Sequence, residues 1–146
     1  MKITGINDVA KALQALPDEI RRNGEAKTLR AGARPMVKTA KAKVSRESGT
    51  LRRAIGANVK KLRGVRTARI GARSGWGREV TVKGQTQYRN PTQYSHLVEY
   101  GTAHSAPKPF IRPAVETTQG EVVQEMAKAL DKHVTNAVRK LKSRKK

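Results

Sequence analysis

His96 and Glu99 stand three residues apart within Tyr94–Glu116, which reads YSHLVEYGTAHSAPKPFIRPAVE. On a helix that spacing puts an imidazole and a carboxylate on one face. The pair could form one edge of a divalent-metal site, as a metal-dependent nuclease would need. Two ligands are too few, and His104 and His133 complete no ligand pattern with them. No Gly-rich phosphate loop with its lysine is present, and no Ser, His and Asp arrangement stands out. The expectation is a protein that is not an enzyme, with no catalytic residue, no metal and no cofactor; the nuclease ranks last of three readings.

The same stretch is richer in backbone constraint than in reactive groups. Thr92 is expected to cap a short helix carrying Tyr94, Leu97 and Val98 on one side, and Gly101 suits a left-handed residue that ends it. Ala106-Pro107-Lys108-Pro109 must be extended, because each Pro disfavours helix in the residue before it. Phe110, the one Phe in the chain, is then expected to anchor a crossover in the core. Arg112 and Pro113 lead into the last helix. Arg112 is expected near Glu99 as an ion pair, within one subunit or between two.

The rest of the chain must position this brace. Its 146 residues predict one domain over 1–141 with a basic tail at 142–146. Apolar residues make up 36% and aromatics 3%, so the core must be small and built from Ala, Val, Leu and Ile. Lys and Arg number 32 against 11 Asp and Glu, a formal charge of +21. Self-repulsion on that scale calls for a polyanion or an acidic neighbour. Cysteine is absent, which removes disulfides and thiolate metal sites and fits a reducing compartment. No apolar run approaches the roughly 18 residues that suggest a membrane span, and MKITGINDVAKAL lacks the features of a secretory signal. A soluble protein, cytoplasmic where it is made, is expected.

In chain order, Asn7 or Asp8 can cap a first helix with Ile6, Val9, Leu13 and Leu16 as its apolar stripe, ending near Pro17. A second helical pattern covers 18–44, with Ile20, Leu29, Ala33, Met36, Val37, Ala40 and Val44 on one face and a kink or break expected at Pro35. The many alanines suggest close approach of another helix or of another subunit. Gly49 reads as a turn, and Thr50 as the cap of one helical turn carrying Leu51, Ala54 and Ile55. Runs 58–62 and 65–70 around Arg63-Gly64 predict a hairpin. Alternation at 79–83 predicts a third strand, and one small antiparallel sheet is built from all three. Residues 74–93 otherwise read as a mobile loop, with Trp76 outside the core. The last helix carries Val115, Thr118, Val122, Met126, Ala129, Leu130, His133, Val134, Ala137, Val138 and Leu141 on one face. The fold class is α+β: a small antiparallel sheet flanked by N-terminal helices and a long C-terminal helix.

Between Glu47 and Glu79 the chain has no acid. Arg52, Arg53, Lys60, Lys61, Arg63, Arg66, Arg69, Arg73 and Arg78 fall in that gap. All of them except Arg78, together with Lys142, Arg144, Lys145 and Lys146 in the tail, are candidate contacts to DNA or to an acidic partner. The alternative function is therefore sequence-independent nucleic-acid binding through phosphate contacts. It lacks a recognisable binding module, and the few aromatics supply little base stacking.

LVEYGT followed by APKPFIRPA, with SGTLRRAI earlier, resembles the signature of a family of head–tail joining or tail-completion proteins of long-tailed bacteriophages. Members are also described as neck or minor tail proteins and are related to the lambda tail protein Z. The order of elements agrees from about the second helix onward; the loop at 74–93 and the basic tail have no counterpart. The resemblance implies a non-enzymatic virion part, made in the host cytoplasm. It would form a ring, expected to be a hexamer, that completes the tail and joins it to the DNA-filled head. Partners would be further copies, the tail terminator or tail tube, head-closure or connector proteins, and the phosphate backbone of the genome, with no membrane. Gly49, Leu51, Glu99, Tyr100, Gly101, Thr102, Pro109, Phe110, Arg112 and Pro113 match the family framework, in the core or at a subunit interface.

Overall fold

The structure, a computed structural model, describes residues 17–44 and 49–143 with Asn7, Val9, Lys11 and Gln14, and only the backbone at 19, 82 and 140–143. Asn7, Val9, Lys11 and Gln14 are helical and Val9 is buried. The remaining stripe residues expected there (Ile6, Leu13 and Leu16), Asp8, Ser48, and the tail residues Arg144, Lys145 and Lys146 lie outside the described residues. So do the side chains of Leu141 and Lys142.

The elements are α1 (Asp18–Lys43), α2 (Thr50–Ala54), β1 (Ile55–Leu62), β2 (Val65–Ala72), β3 (Arg78–Val82), β4 (Gln85–Arg89), α3 (Pro91–Tyr100) and α4 (Ile111–Ser143). The class is α+β, as the sequence predicts. Pro35 does not break α1: it sits inside one continuous helix. Neither does Gly120 interrupt α4.

The strands depart from the single sheet expected. β1 pairs with β2 and β3 with β4, as two separate two-stranded sheets. The missing strand is β4, in the stretch read as a loop. Its residues Gln85–Arg89 are polar and exposed but for the last, which is half-buried, so no buried apolar face marks it. Its partner register runs from Arg78 opposite Arg89 to Val82 opposite Gln85. Both hairpins close with two residues, Arg63-Gly64 (φ 48° and 85°) and Lys83-Gly84 (φ 52° and 79°). Positive φ at both central positions is what a type I′ turn requires, and glycine takes the second at no steric cost.

By their contacts the residues fall into two compact units, 1–35 with 59–68 and 119–146, and 36–58 with 69–118. In the first, α1 and α4 approach at Gly32, where a methyl group would overlap the Met126 side chain. Ala31, Ala33, Val122, Met126 and Leu130 are buried. This close approach is what the small residues of α1 anticipate. His133 holds a ring nitrogen 2.8 Å from the Ile20 carbonyl oxygen. Val138, expected on the buried face, is exposed.

In the second unit, Ala40, Val44, Leu51, Ile55, Phe110 and Ala114 form the core, with Val37, Ala72, Tyr94, Val98 and Ile111 packed on it. Phe110 is 0% exposed, as the crossover anchor should be. Thr50 is not the cap of α2: Gly49, at φ 65°, holds that position with no side-chain hydrogen bond, and Thr50 lies buried inside the turn. Ile55 belongs to β1 rather than to the helical turn.

Candidate functional site

Of the signature residues, Glu99 meets Phe110 and Arg112 at the start of α4. Asn90, not Thr92, caps α3, accepting a hydrogen bond from the Thr92 backbone N–H (3.2 Å), with Pro91 in the first turn. Asn90 wins because the cap must precede the first helical residue, and Pro91 pre-sets the helical φ at that residue. Along α3, Tyr94 and Val98 turn to the core while Leu97 is exposed. Gly101 ends the helix at φ 81°, ψ −179°, a backbone region open essentially to glycine alone and distinct from the left-handed helical residue expected. Its N–H still reaches the Leu97 carbonyl at 2.8 Å. A β-carbon there would sit 2.9 Å from both the Pro107 nitrogen and the Ser105 oxygen. This tightness folds 102–109 back on α3. Thr102 and Ser105 bridge each other, and the Lys108 N–H donates to the Val98 carbonyl at 2.8 Å.

That return brings the α4 start under Glu99, a residue only 8% exposed. One carboxylate oxygen accepts the backbone N–H groups of Phe110 (2.8 Å) and Ile111 (2.9 Å), and the other accepts that of Arg112 (3.0 Å). A helix leaves its first four N–H groups without intrahelical partners. Here three go to Glu99 and the fourth position is Pro113, which has none to satisfy. A carboxylate also opposes the positive end of the helix dipole. Within one chain, a bond to the Arg112 backbone therefore stands in place of the expected Arg112–Glu99 ion pair, and the Arg112 side chain is exposed. Burial alone would push the Glu99 carboxyl up. The N–H bonds from Ile111, Phe110 and Arg112, helped by the Arg112 charge, outweigh it and hold the group below its ordinary range.

The remaining framework residues divide. Leu51 and Phe110 are core, Gly49 is a cap, and Pro113 is half-buried. Tyr100, Thr102 and Pro109 face outward, Tyr100 with 72% of its surface exposed. Among the described residues no group of three or more His, Asp or Glu could hold a metal ion.

The basic candidates divide too. Arg52, Arg53, Lys60, Lys61, Arg63 and Arg69 are exposed. Arg66 instead pairs with Glu25 (3.2 Å). Arg73 donates to the Ala54 carbonyl (3.3 Å) with its guanidinium 5.1 Å from the Trp76 ring centre, a cation–π contact. Arg78 donates to the Thr50 hydroxyl at 3.0 Å. The sequence reading missed these internal roles, since charge alone does not separate a paired arginine from a free one. It also missed the Glu99 cap. Its trace is an acid before a glycine stop, followed by a helix start whose third residue is Pro.

A sequence model of one protein family, described as "Bacteriophage HK97-gp10, putative tail-component", matches residues 7–101. Among curated proteins and among solved structures nothing matches. No helix among the described residues is long and apolar enough to cross a membrane.

Proposed function

Because the chain belongs to the HK97-gp10-like family of bacteriophage tail components, we propose that it assembles into a ring at the head-proximal end of the tail. The ring completes the tail and joins it to the DNA-filled head. It sits between the tail terminator or tail tube and the head-closure or connector proteins, with genome phosphates within reach of its basic surface. The match over 7–101 carries this reading, since it takes in α1, both hairpins and α3. The use of Glu99 supports a structural role: this acid, buried as no other among the described residues is, fixes a helix start and is not held ready for proton transfer.

Removing the gene from its phage tests the reading. Filled heads and detached tails are expected to accumulate, and supplying the chain in trans is expected to restore joined particles that contain it by mass spectrometry. Normal joined particles without the chain would overturn the proposal.

A further inference from the structure

Burial alternates along β1 as far as Lys60 and along β2 from Val65 to Ile70, and the strand face bearing Lys60, Leu62, Val65 and Thr67 is exposed throughout. A two-residue turn sets Leu62 opposite Val65 on one side of the ribbon. Leu62 is 50% and Val65 67% exposed. Lys60 and Arg63 flank them, and no acid occurs between Glu47 and Glu79. Such a face fits an acidic surface that also accepts apolar side chains. A phosphate backbone offers Leu62 and Val65 nothing, so the face is built for protein.

The chain carries a counterpart. From Glu121 to Asp131, α4 has three acids and one lysine, a net negative stretch in a chain of +21. Glu121 and Asp131 are exposed and, among the described residues, have no cation partner; Glu125 is paired with Lys128 at 3.3 Å. Gly120 and Ala127 are exposed beside them, and open space lies where a β-carbon of Gly120 would point. The helix surface is therefore low where branched side chains would have to settle.

We infer that the β1–β2 tip of one copy docks on the Glu121–Asp131 stretch of α4 in the next, with Lys60 and Arg63 facing Glu121 and Asp131 and with Leu62 and Val65 over Gly120 and Ala127. Two tips cannot face each other without opposing like charges. The contact is thus head-to-tail, the kind that closes into a ring when the rotation permits. The inference rests on the ring reading above and names its interface.

The absence of cysteine allows a direct test with the full chain. Val65→Cys combined with Ala127→Cys is oxidised in purified protein and in particles. A ladder of disulfide-linked multimers is expected from the double variant and monomers from each single variant. Dimers from Val65→Cys alone would mean a tip-to-tip contact and overturn the inference. So would the lack of a ladder in a double variant whose circular dichroism and melting match wild type. In a second arm, Lys60→Glu with Arg63→Glu is expected to reduce assembly at least about tenfold, the scale of 1.4 kcal/mol. Adding Glu121→Lys with Asp131→Lys is expected to restore it, and failure of that rescue would overturn the pairing. A ladder from a protein that is absent from particles would overturn the virion role and leave this interface standing. Presence in particles without a ladder would do the reverse.

Discussion

Glu99 does with one side chain what a helix start usually needs several groups to do, because its two oxygens reach three consecutive N–H groups. Glu99→Gln keeps the shape but loses the charge and turns half of the acceptor into a donor. It is expected to cost about 1–3 kcal/mol in urea denaturation, the range for a hydrogen-bonded charged group and a stranded buried donor. The pH dependence follows from the lowered carboxyl. An unfolded chain protonates Glu near about 4.3, above the folded value. The stabilisation is therefore whole above that pH and is lost as pH falls through it toward the folded value. Wild type is expected to lose stability across this acid window, and Glu99→Gln to show a shallower slope there. Thr28 gives the opposite kind of case. It is 0% exposed and its hydroxyl has no hydrogen-bond partner among the described residues. Thr28→Val keeps the branched shape without the stranded hydroxyl and is expected to raise stability by about 1 kcal/mol, seen as a higher urea midpoint.

Among the elements, α4 shows how two residues divide one task. Pro113 is usually credited with a favourable helical φ, but at this start it also removes the fourth free N–H, beyond the three that Glu99 accepts. Pro113→Ala is expected to destabilise by about 1 kcal/mol, against the higher intrinsic helix propensity of Ala. In the Glu99→Gln background its cost should shrink, and a double-mutant cycle measures that coupling. The two long helices were legible in the sequence because their buried faces recur at helical spacing, as Thr118, Val122, Met126 and Leu130 do on α4. So was the β1–β2 hairpin, through Arg63-Gly64 and the alternation around it. β4 was not, because Gln85–Arg89 buries no alternate face and is defined by backbone pairing to β3. Within the brace, Phe110 and Gly101 could be read from composition and backbone preference. The Glu99 bonds could not, since they join residues eleven to thirteen apart through main-chain groups that any sequence carries.

At the scale of the whole molecule, the formal charge of +21 works against a small core drawn largely from Ala, Val, Leu and Met. Each two-stranded sheet is also the kind of element that is marginal alone in water. Among the described residues, an exposed ion pair such as Lys128–Glu125 contributes little, and the half-buried Arg66–Glu25 pair engages only one of the many cations. Repulsion among the unpaired cations should therefore dominate the response to salt. Between about 0.01 and 0.15 M, the screening length falls from about 30 to about 8 Å, short enough to uncouple distant cations while sparing direct contacts. The melting temperature of the dilute chain is expected to rise over that range, where a protein of balanced charge would change little. Lys60→Glu with Arg63→Glu lowers the formal charge by four and should raise the low-salt melting temperature while weakening assembly. Opposite signs in these two measurements would separate the cations needed for an interface from those that only burden the fold. A fall in both would mean that Lys60 and Arg63 stabilise their own chain.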